Sequence, residues 1–250
     1  MKIKSDFSPL GSSNQIDLEK KNCEYFETSI GNTEEKLRSI MRFLSRQELA
    51  KILSLTELFQ KTTNINGSIA ECGAYWGQSL MLWAKLSATL EPYNYQCKAI
   101  GFDTFKGNTK SSKKDKGGKL NLSKYSFEAK TYDDLKKSIE IFDSDRPLNH
   151  IEKVELVKGD LIRTSKSYLI KNPQTIFRII SLSVNLYNPT LEVLKNFYPK
   201  LSPGGIVMIN GLNITTGATN ALYDYFKTSK NEIPKIYAIP YYPNVSYFIK

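Results

Sequence analysis

The sequence predicts an open, mostly parallel α/β sheet with helices on both faces, an antiparallel strand element at the C-terminus and a helical extension at the N-terminus. Three observations carry this. From residue 65 onward, short apolar β-rich runs alternate with helix-length segments, which implies parallel pairing with right-handed crossovers. Several of the runs end in an acid or a glycine, the residue types found where strands feed a ligand crevice. After the last helical segment two β-rich runs, Ile236 to Ile239 and Val245 to Ile249, flank a turn-forming Pro240 to Asn244, the pattern of a closing antiparallel element. With 250 residues, 40% of them hydrophobic, the chain can bury a core without covalent staples and is too apolar to be disordered.

Residues 1–33 are polar with weak periodicity and end at Gly31-Asn32-Thr33, a turn with an N-cap; they read as an arm or lid. From Glu34 to Lys61 apolar residues recur at helical spacing (Leu37, Ile40, Met41, Leu44, then Leu49, Ile52, Leu55, Leu58 and Phe59), giving two amphipathic helices broken near Ser45. Their apolar positions suit either a lid or the contact of a homodimer. Residues 1–64 are therefore taken as an N-terminal arm and helical lid, and 65–250 as the α/β domain. Strands are expected at Ser68 to Cys72, Lys98 to Asp103, Val154 to Lys158, Arg178 to Val184 and Gly205 to Ile209. Helices are expected between and after them, near 77–90, 131–143, 162–171, 189–199 and 216–228.

The longest apolar stretch, around Ile176 to Val184, is broken well short of the roughly 20 residues a membrane span needs. No apolar leader follows the charged start Met1 to Asp6, so a cytoplasmic location is expected. Cys23, Cys72 and Cys97 are odd in number and lack close spacing, and His150 is the sole histidine, which disfavours a disulfide framework or a zinc site. Cys72 and Cys97 read as buried thiols. Much of the net charge of +10 is local: Lys106, Lys110, Lys113, Lys114, Lys116, Lys119 and Lys124 surround a single acid, Asp115. This segment reads as an exposed, mobile loop that covers the pocket mouth, either merely solvated or a platform for an anionic acceptor. Lysines without interleaved aromatics are poor readers of bases, so sequence-specific nucleic-acid recognition is not expected.

Candidate chemistry lies at the carboxyl ends of the strands. In Glu71-Cys-Gly73-Ala-Tyr75-Trp-Gly77-Gln-Ser79, Gly73 lets the backbone approach a ligand, and Gly77 with Ser79 opens a helix whose free N–H groups suit a carboxylate; a plain tight turn is the alternative. Asp103, followed by Thr104 and Phe105, ends the second strand, where an acid accepts hydrogen bonds from a ribose diol or else holds a loop. Asp160 ends the third strand, facing an adenine amino group or capping the next helix. His150 precedes the third strand and reads as a loop residue.

Taken in order, Gly67 to Ser79, Gly101 to Gly107, Gly159-Asp160, Asn185 to Thr190 and Leu201 to Gly205 resemble the class I S-adenosylmethionine-dependent methyltransferases, and more narrowly the macrocin O-methyltransferase family of sugar O-methylating enzymes. The resemblance implies a Rossmann-like sheet and S-adenosylmethionine as cofactor. It places Glu71, Gly73 and Ser79, with Tyr75 and Gly77, at the methionine end, Asp103, Thr104 and Phe105 at the ribose, and Asp160 near the adenine. The family also carries Asp-x-Asp-x-Tyr after the fourth strand and paired acids after the fifth, which bind Mg²⁺ and supply the base. Here those positions read Ser183-Val184-Asn185-Leu186-Tyr187 and Asn210-Gly211. Neutral side chains offer little to offset dehydration of Mg²⁺, and asparagine cannot take a proton from an alcohol at neutral pH. No metal site is therefore expected; Ser183, Asn185 and Tyr187 are the candidates left beside the reacting hydroxyl, and Tyr187, His150 or Asp160 are the residues left that can act as base. The implied function is methylation of a hydroxyl on a sugar or similar small metabolite without Mg²⁺. The alternative is an inactive descendant that binds S-adenosylmethionine or S-adenosylhomocysteine as a partner or regulator.

Overall fold

A computed structural model describes residues 12–119 and 130–250; Met1 to Asp6 and Lys124 of the sequence reading lie outside these. The chain divides into two compact units, one up to Leu53 and one from Ser54 to Lys250.

The larger unit is a seven-stranded sheet in the order β3-β2-β1-β4-β5-β7-β6. The strands are β1 (Ser68–Cys72), β2 (Ala99–Asp103), β3 (Val154–Lys158), β4 (Phe177–Leu182), β5 (Leu201–Asn210), β6 (Tyr237–Ala238) and β7 (Val245–Ile249). The first five pair in parallel, and β7 returns antiparallel to β5 and β6, as the sequence pattern predicts. β1 and β4 are buried at every position, so neither shows a polar-apolar alternation, and each carries one buried charged residue, Glu71 and Arg178.

Helices cover both faces. The end of α3 (Arg46–Gln60), α4 (Gln78–Leu90) and α5 (Tyr132–Ser144) supply Leu58, Phe59, Leu80, Trp83 and Leu135 to one core layer. On the other face α6 (Leu161–Lys171), α7 (Tyr187–Phe197) and α8 (Thr216–Ser229) supply Leu161, Leu194, Phe197, Leu222 and Phe226. At the amino end of the sheet the fully buried Arg178 makes a two-pronged ion pair with Glu91 (2.6 and 2.8 Å) and lies 4.6 Å over the ring of Phe59, tying α4, β4 and α3 together.

The smaller unit is helical, as the predicted N-terminal helical extension requires, and its first helix lies in the segment read only as an arm or lid. Residues 13–28 form a helix, α1 (Ser13–Thr28), started by a reciprocal capping box between Ser12 and Gln15. A second box, Asn32 with Glu35, starts α2 (Thr33–Arg38), and one turn of 3₁₀ helix at Ile40–Arg42 leads to α3. Within this unit the Phe43 ring meets Phe26 edge-on at 5.0 Å, and Lys36 Nζ donates to the Phe26 carbonyl oxygen at 2.6 Å. α1 buries no residue, so it lacked the apolar stripe by which helices announce themselves.

Candidate active site

Strand order reverses between β1 and β4, and an open α/β sheet has its ligand crevice beyond the carboxyl ends at that point. Each strand end there turns through a left-handed residue: Gly73 and Tyr75 after β1, Phe105 after β2, Gly159 after β3, Asn185 after β4 and Gly211 after β5. Glycine takes this conformation freely. For bulky Tyr75 (φ 51°) and Phe105 (φ 55°) it costs about 1–3 kcal/mol each and persists only where neighbours enforce it.

The enforcing group is Asp103. Its Oδ2 accepts the Tyr75 N–H and its Oδ1 the Phe105 N–H, both at 2.8 Å, so one carboxylate fixes the turns after β1 and β2 together. Each oxygen keeps a further acceptor direction, which fits a diol. Thr104 Oγ1 donates to the Gly107 carbonyl at 2.7 Å and closes the same turn, while the Phe105 ring packs against Tyr132 at 5.1 Å. Thr131 adds a bond that the sequence does not advertise, from its hydroxyl to the Tyr75 carbonyl at 2.7 Å.

Gly73 lies where β1 and β4 converge: a Cβ there would stand 3.1 Å from the Ser183 carbonyl carbon. Gly77 is the left-handed N-cap of α4, where a Cβ would come within 2.1 Å of Leu135 Cδ2, and Ser79 follows in the first turn. Asp160 caps α6, its Oδ1 accepting the Ile162 N–H at 3.0 Å. His150 is exposed in the turn before β3.

Glu71, near the carboxyl end of β1, is 1% exposed. Its Oε2 accepts from Trp83 Nε1 at 2.8 Å and its Oε1 from the Ser183 hydroxyl at 2.9 Å, while Ser183 Oγ accepts from Asn210 Nδ2 at 3.0 Å. The structure thus brings Ser183 and Asn210 together, as the resemblance implied, but threads them onto a buried carboxylate. Asn185 and Gly211 also meet: a Cβ on Gly211 would lie 2.6 Å from Asn185 Oδ1, a buried oxygen with no hydrogen-bond partner. Such donors do not suit Mg²⁺: all four residues are neutral, and the Ser183 oxygen already donates to Glu71 and accepts from Asn210. Among the described residues, no group of three or more His, Cys, Asp or Glu is placed to hold a metal ion. The glycines, the oriented Asp103 and the free end of α4 do suit an adenosyl amino acid.

The lysine segment is corrected. Its lysines are exposed, but residues 106–119 are docked rather than loose. Ser112 and Asp115 form a capping box around a 3₁₀ turn at Lys113–Asp115. Asp115 Oδ1 then accepts the Tyr187 N–H at 2.7 Å, and Lys119 N donates to the Ile214 carbonyl at 3.0 Å. Lys114 Nζ pairs with Asp224 and donates to the Tyr187 hydroxyl at 3.0 Å, and that hydroxyl donates to Asp224 at 2.9 Å. The hydrogen bonds from Lys114 and then Tyr187 hold the Asp224 carboxyl below its ordinary range. Tyr187 is therefore engaged with α8. Sequence reasoning missed this cluster; its one signal was Asp115, the single acid among seven lysines.

No curated protein sequence matches significantly. The chain is similar to two structures of CalS11: a crystal structure of this calicheamicin methyltransferase (26% identity, TM-score 0.89, 96% of this chain and 93% of that chain) and an apo structure of it as a TDP-rhamnose 3'-O-methyltransferase (25% identity, TM-score 0.81, 96% and 95%). The O-methyltransferase NovP shares the fold (16% identity, TM-score 0.64, 80% and 79%). The family model for macrocin-O-methyltransferase (TylF) matches residues 21–240, and with the sheet order and the crevice described above the chain belongs to this family of class I S-adenosylmethionine-dependent methyltransferases.

Proposed function

We propose that the protein methylates a hydroxyl group of a sugar, carried free or on a nucleoside diphosphate, and does so without a divalent cation. The observation that carries the reading is the Asp103 carboxylate, held by Tyr75 and Phe105 N–H groups at the reversal point of the sheet in a chain of this family. The likeness to a TDP-rhamnose methyltransferase and the exposed lysines of 106–119 support an anionic acceptor.

In this reading Asp103 accepts the ribose hydroxyls, Gly73 admits the ligand against the backbone, and the first turn of α4 faces its carboxylate. Asp160 flanks the adenine while capping α6. The bound cofactor supplies an electrophilic methyl group on a sulfonium. The chain's task is then to align an acceptor oxygen beside Asn185 and Ser183. Asn185 offers a hydrogen bond but takes no proton, so the proton leaves to water. Lacking a general base forfeits about 10²- to 10⁴-fold in rate, and alignment must supply what acceleration remains.

Calorimetric titration with S-adenosylhomocysteine should give one site on the parent, weakened at least about tenfold by Asp103→Ala, since each lost charge-assisted bond is worth about 1.5–3 kcal/mol. Methyl transfer from S-adenosylmethionine to nucleoside-diphosphate sugars should proceed equally with Mg²⁺ and with chelator. No binding by the parent would end the reading. Binding without transfer across free and nucleotide-linked sugars would replace it with an inactive binder, the outcome that the loss of acids at 185 and 210 favours.

A further inference from the structure

The 106–119 segment does more than lie near the crevice. α7 has no side-chain cap of its own: Leu186 occupies the N-cap position. The first N–H of that helix, Tyr187 N, is satisfied instead by Asp115, some seventy residues earlier in the chain. The carboxylate reaches it through a gap kept open by glycine, because a Cβ on Gly217 in the first turn of α8 would stand 2.0 Å from Asp115 Oδ1, 2.8 Å from Tyr187 N and 3.0 Å from the Asn185 carbonyl oxygen. The other Asp115 oxygen accepts the Ser112 N–H at 2.5 Å and holds the segment's own turn. Docking is reinforced by Asn220 Nδ2 donating to the Lys114 carbonyl at 3.2 Å and by an antiparallel bridge between Gly118 and Thr215.

One acid thus joins the segment to the backbone that runs from Asn185 into α7. We propose that Asp115 is a positioning residue: it caps α7 from the docked segment and so sets the Asn185-to-Tyr187 backbone on the acceptor side of the crevice. This rests on the reading of Asn185 as a neighbour of the reacting hydroxyl. Undocking releases the Tyr187 N–H and frees a left-handed residue, Asn185 (φ 57°), to relax. The acceptor side is then assembled only while the segment is docked, whereas the bonds from Asp103 to Tyr75 and Phe105 do not involve the docked residues 112–119.

The full-length parent, Asp115→Ala, Asp115→Asn and Lys114→Ala are compared by hydrogen exchange of the peptide covering 183–190, by trypsin cleavage at Lys110 to Lys119, and by titration with S-adenosylhomocysteine. Asp115→Ala should speed both exchange and cleavage by about 10- to 100-fold, the range for losing hydrogen bonds to a charged acceptor. Asp115→Asn, which keeps an oxygen for Tyr187 N–H, should restore the slow exchange in part, and S-adenosylhomocysteine affinity should move less than about threefold in either. Lys114→Ala keeps the cap residue and loosens the dock, so it should speed cleavage and exchange together. Cleavage that rises in either variant while exchange at 183–190 stays at the parent's rate would overturn the proposal, as would exchange in Asp115→Asn as fast as in Asp115→Ala. Loss of S-adenosylhomocysteine binding in the parent would refute the cofactor reading and leave this coupling standing.

Discussion

Replacing the half-buried Ser183 by aspartate sets a second carboxylate against the buried one of Glu71. Ser183 Oγ is 2.9 Å from Glu71 Oε1, and Glu71 is 1% exposed. At about 3 Å and an effective dielectric near 20, two unit charges repel by about 5 kcal/mol. One of the pair therefore binds a proton more readily than in the unfolded chain, its pKa raised above the ordinary carboxylate range by the neighbouring charge. A carboxyl raised on folding takes up a proton as the chain folds, so it costs nothing below pH 4 and its penalty grows by about 1.4 kcal/mol per pH unit up to the raised value. The penalty is then about 1.4 kcal/mol at pH 5 and about 4 kcal/mol at pH 7. A further 1.5–3 kcal/mol, roughly independent of pH, comes from losing the bond that the serine hydroxyl donates to a charged acceptor. Urea unfolding of the parent, Ser183→Asp and the neutral Ser183→Asn between pH 5 and 8 measures this directly. A parent-to-aspartate difference that is flat across that range would refute the reasoning, by showing that Glu71 already carries a proton in the native protein.

Two further outcomes follow from the same geometry. Glu91→Ala should cost about 3–5 kcal/mol in urea unfolding, because it leaves the wholly buried Arg178 unpaired with an Nε that already has no partner, whereas Arg178→Met with Glu91→Leu should cost far less than the sum of the single changes. Adding acids at all four neutral positions is the direct way to rebuild a cation site, but Ser183 faces Glu71 and a Cβ on Gly211 strikes Asn185, so Asn185→Asp with Asn210→Asp is the pair to make. In that variant 10 mM Mg²⁺ acting on a site of about 1 mM affinity should add about 1.4 kcal/mol, some 3–6 °C in thermal midpoint, and an unchanged midpoint would mean the two strand ends do not converge as described.

The sheet was legible because its strands are short, buried and bounded by helices of ordinary length: β1, β3 and β7 fall on the runs Ser68 to Cys72, Val154 to Lys158 and Val245 to Ile249. Where boundaries moved, distant contacts moved them. α7 begins at Tyr187, not near residue 189, because the capping acid comes from residue 115 and leaves no local trace. β5 begins at Leu201, ahead of its apolar run, because the Lys250 N–H and carbonyl pair with Gly205 and Gly204. The burial of Cys72 and Cys97 was readable from their apolar strand context, and that burial pushes both thiols above their ordinary range.

The site was readable by residue type and not by partner. An acid at the end of β2 suggested a ribose; nothing local showed that the same carboxylate also holds two strained aromatic residues in place. That double duty makes the strain informative. Tyr75 and Phe105 together forfeit several kcal/mol that looser turns would keep, and a chain selected for stability alone has no use for them there. The acids beyond β4 and β5 are absent while this costly geometry at β1 and β2 is kept. The costly turns after β1 and β2 stand beside the hydrogen-bonded chain of Glu71, Ser183 and Asn210, which lies on the α4 side of the sheet with Trp83.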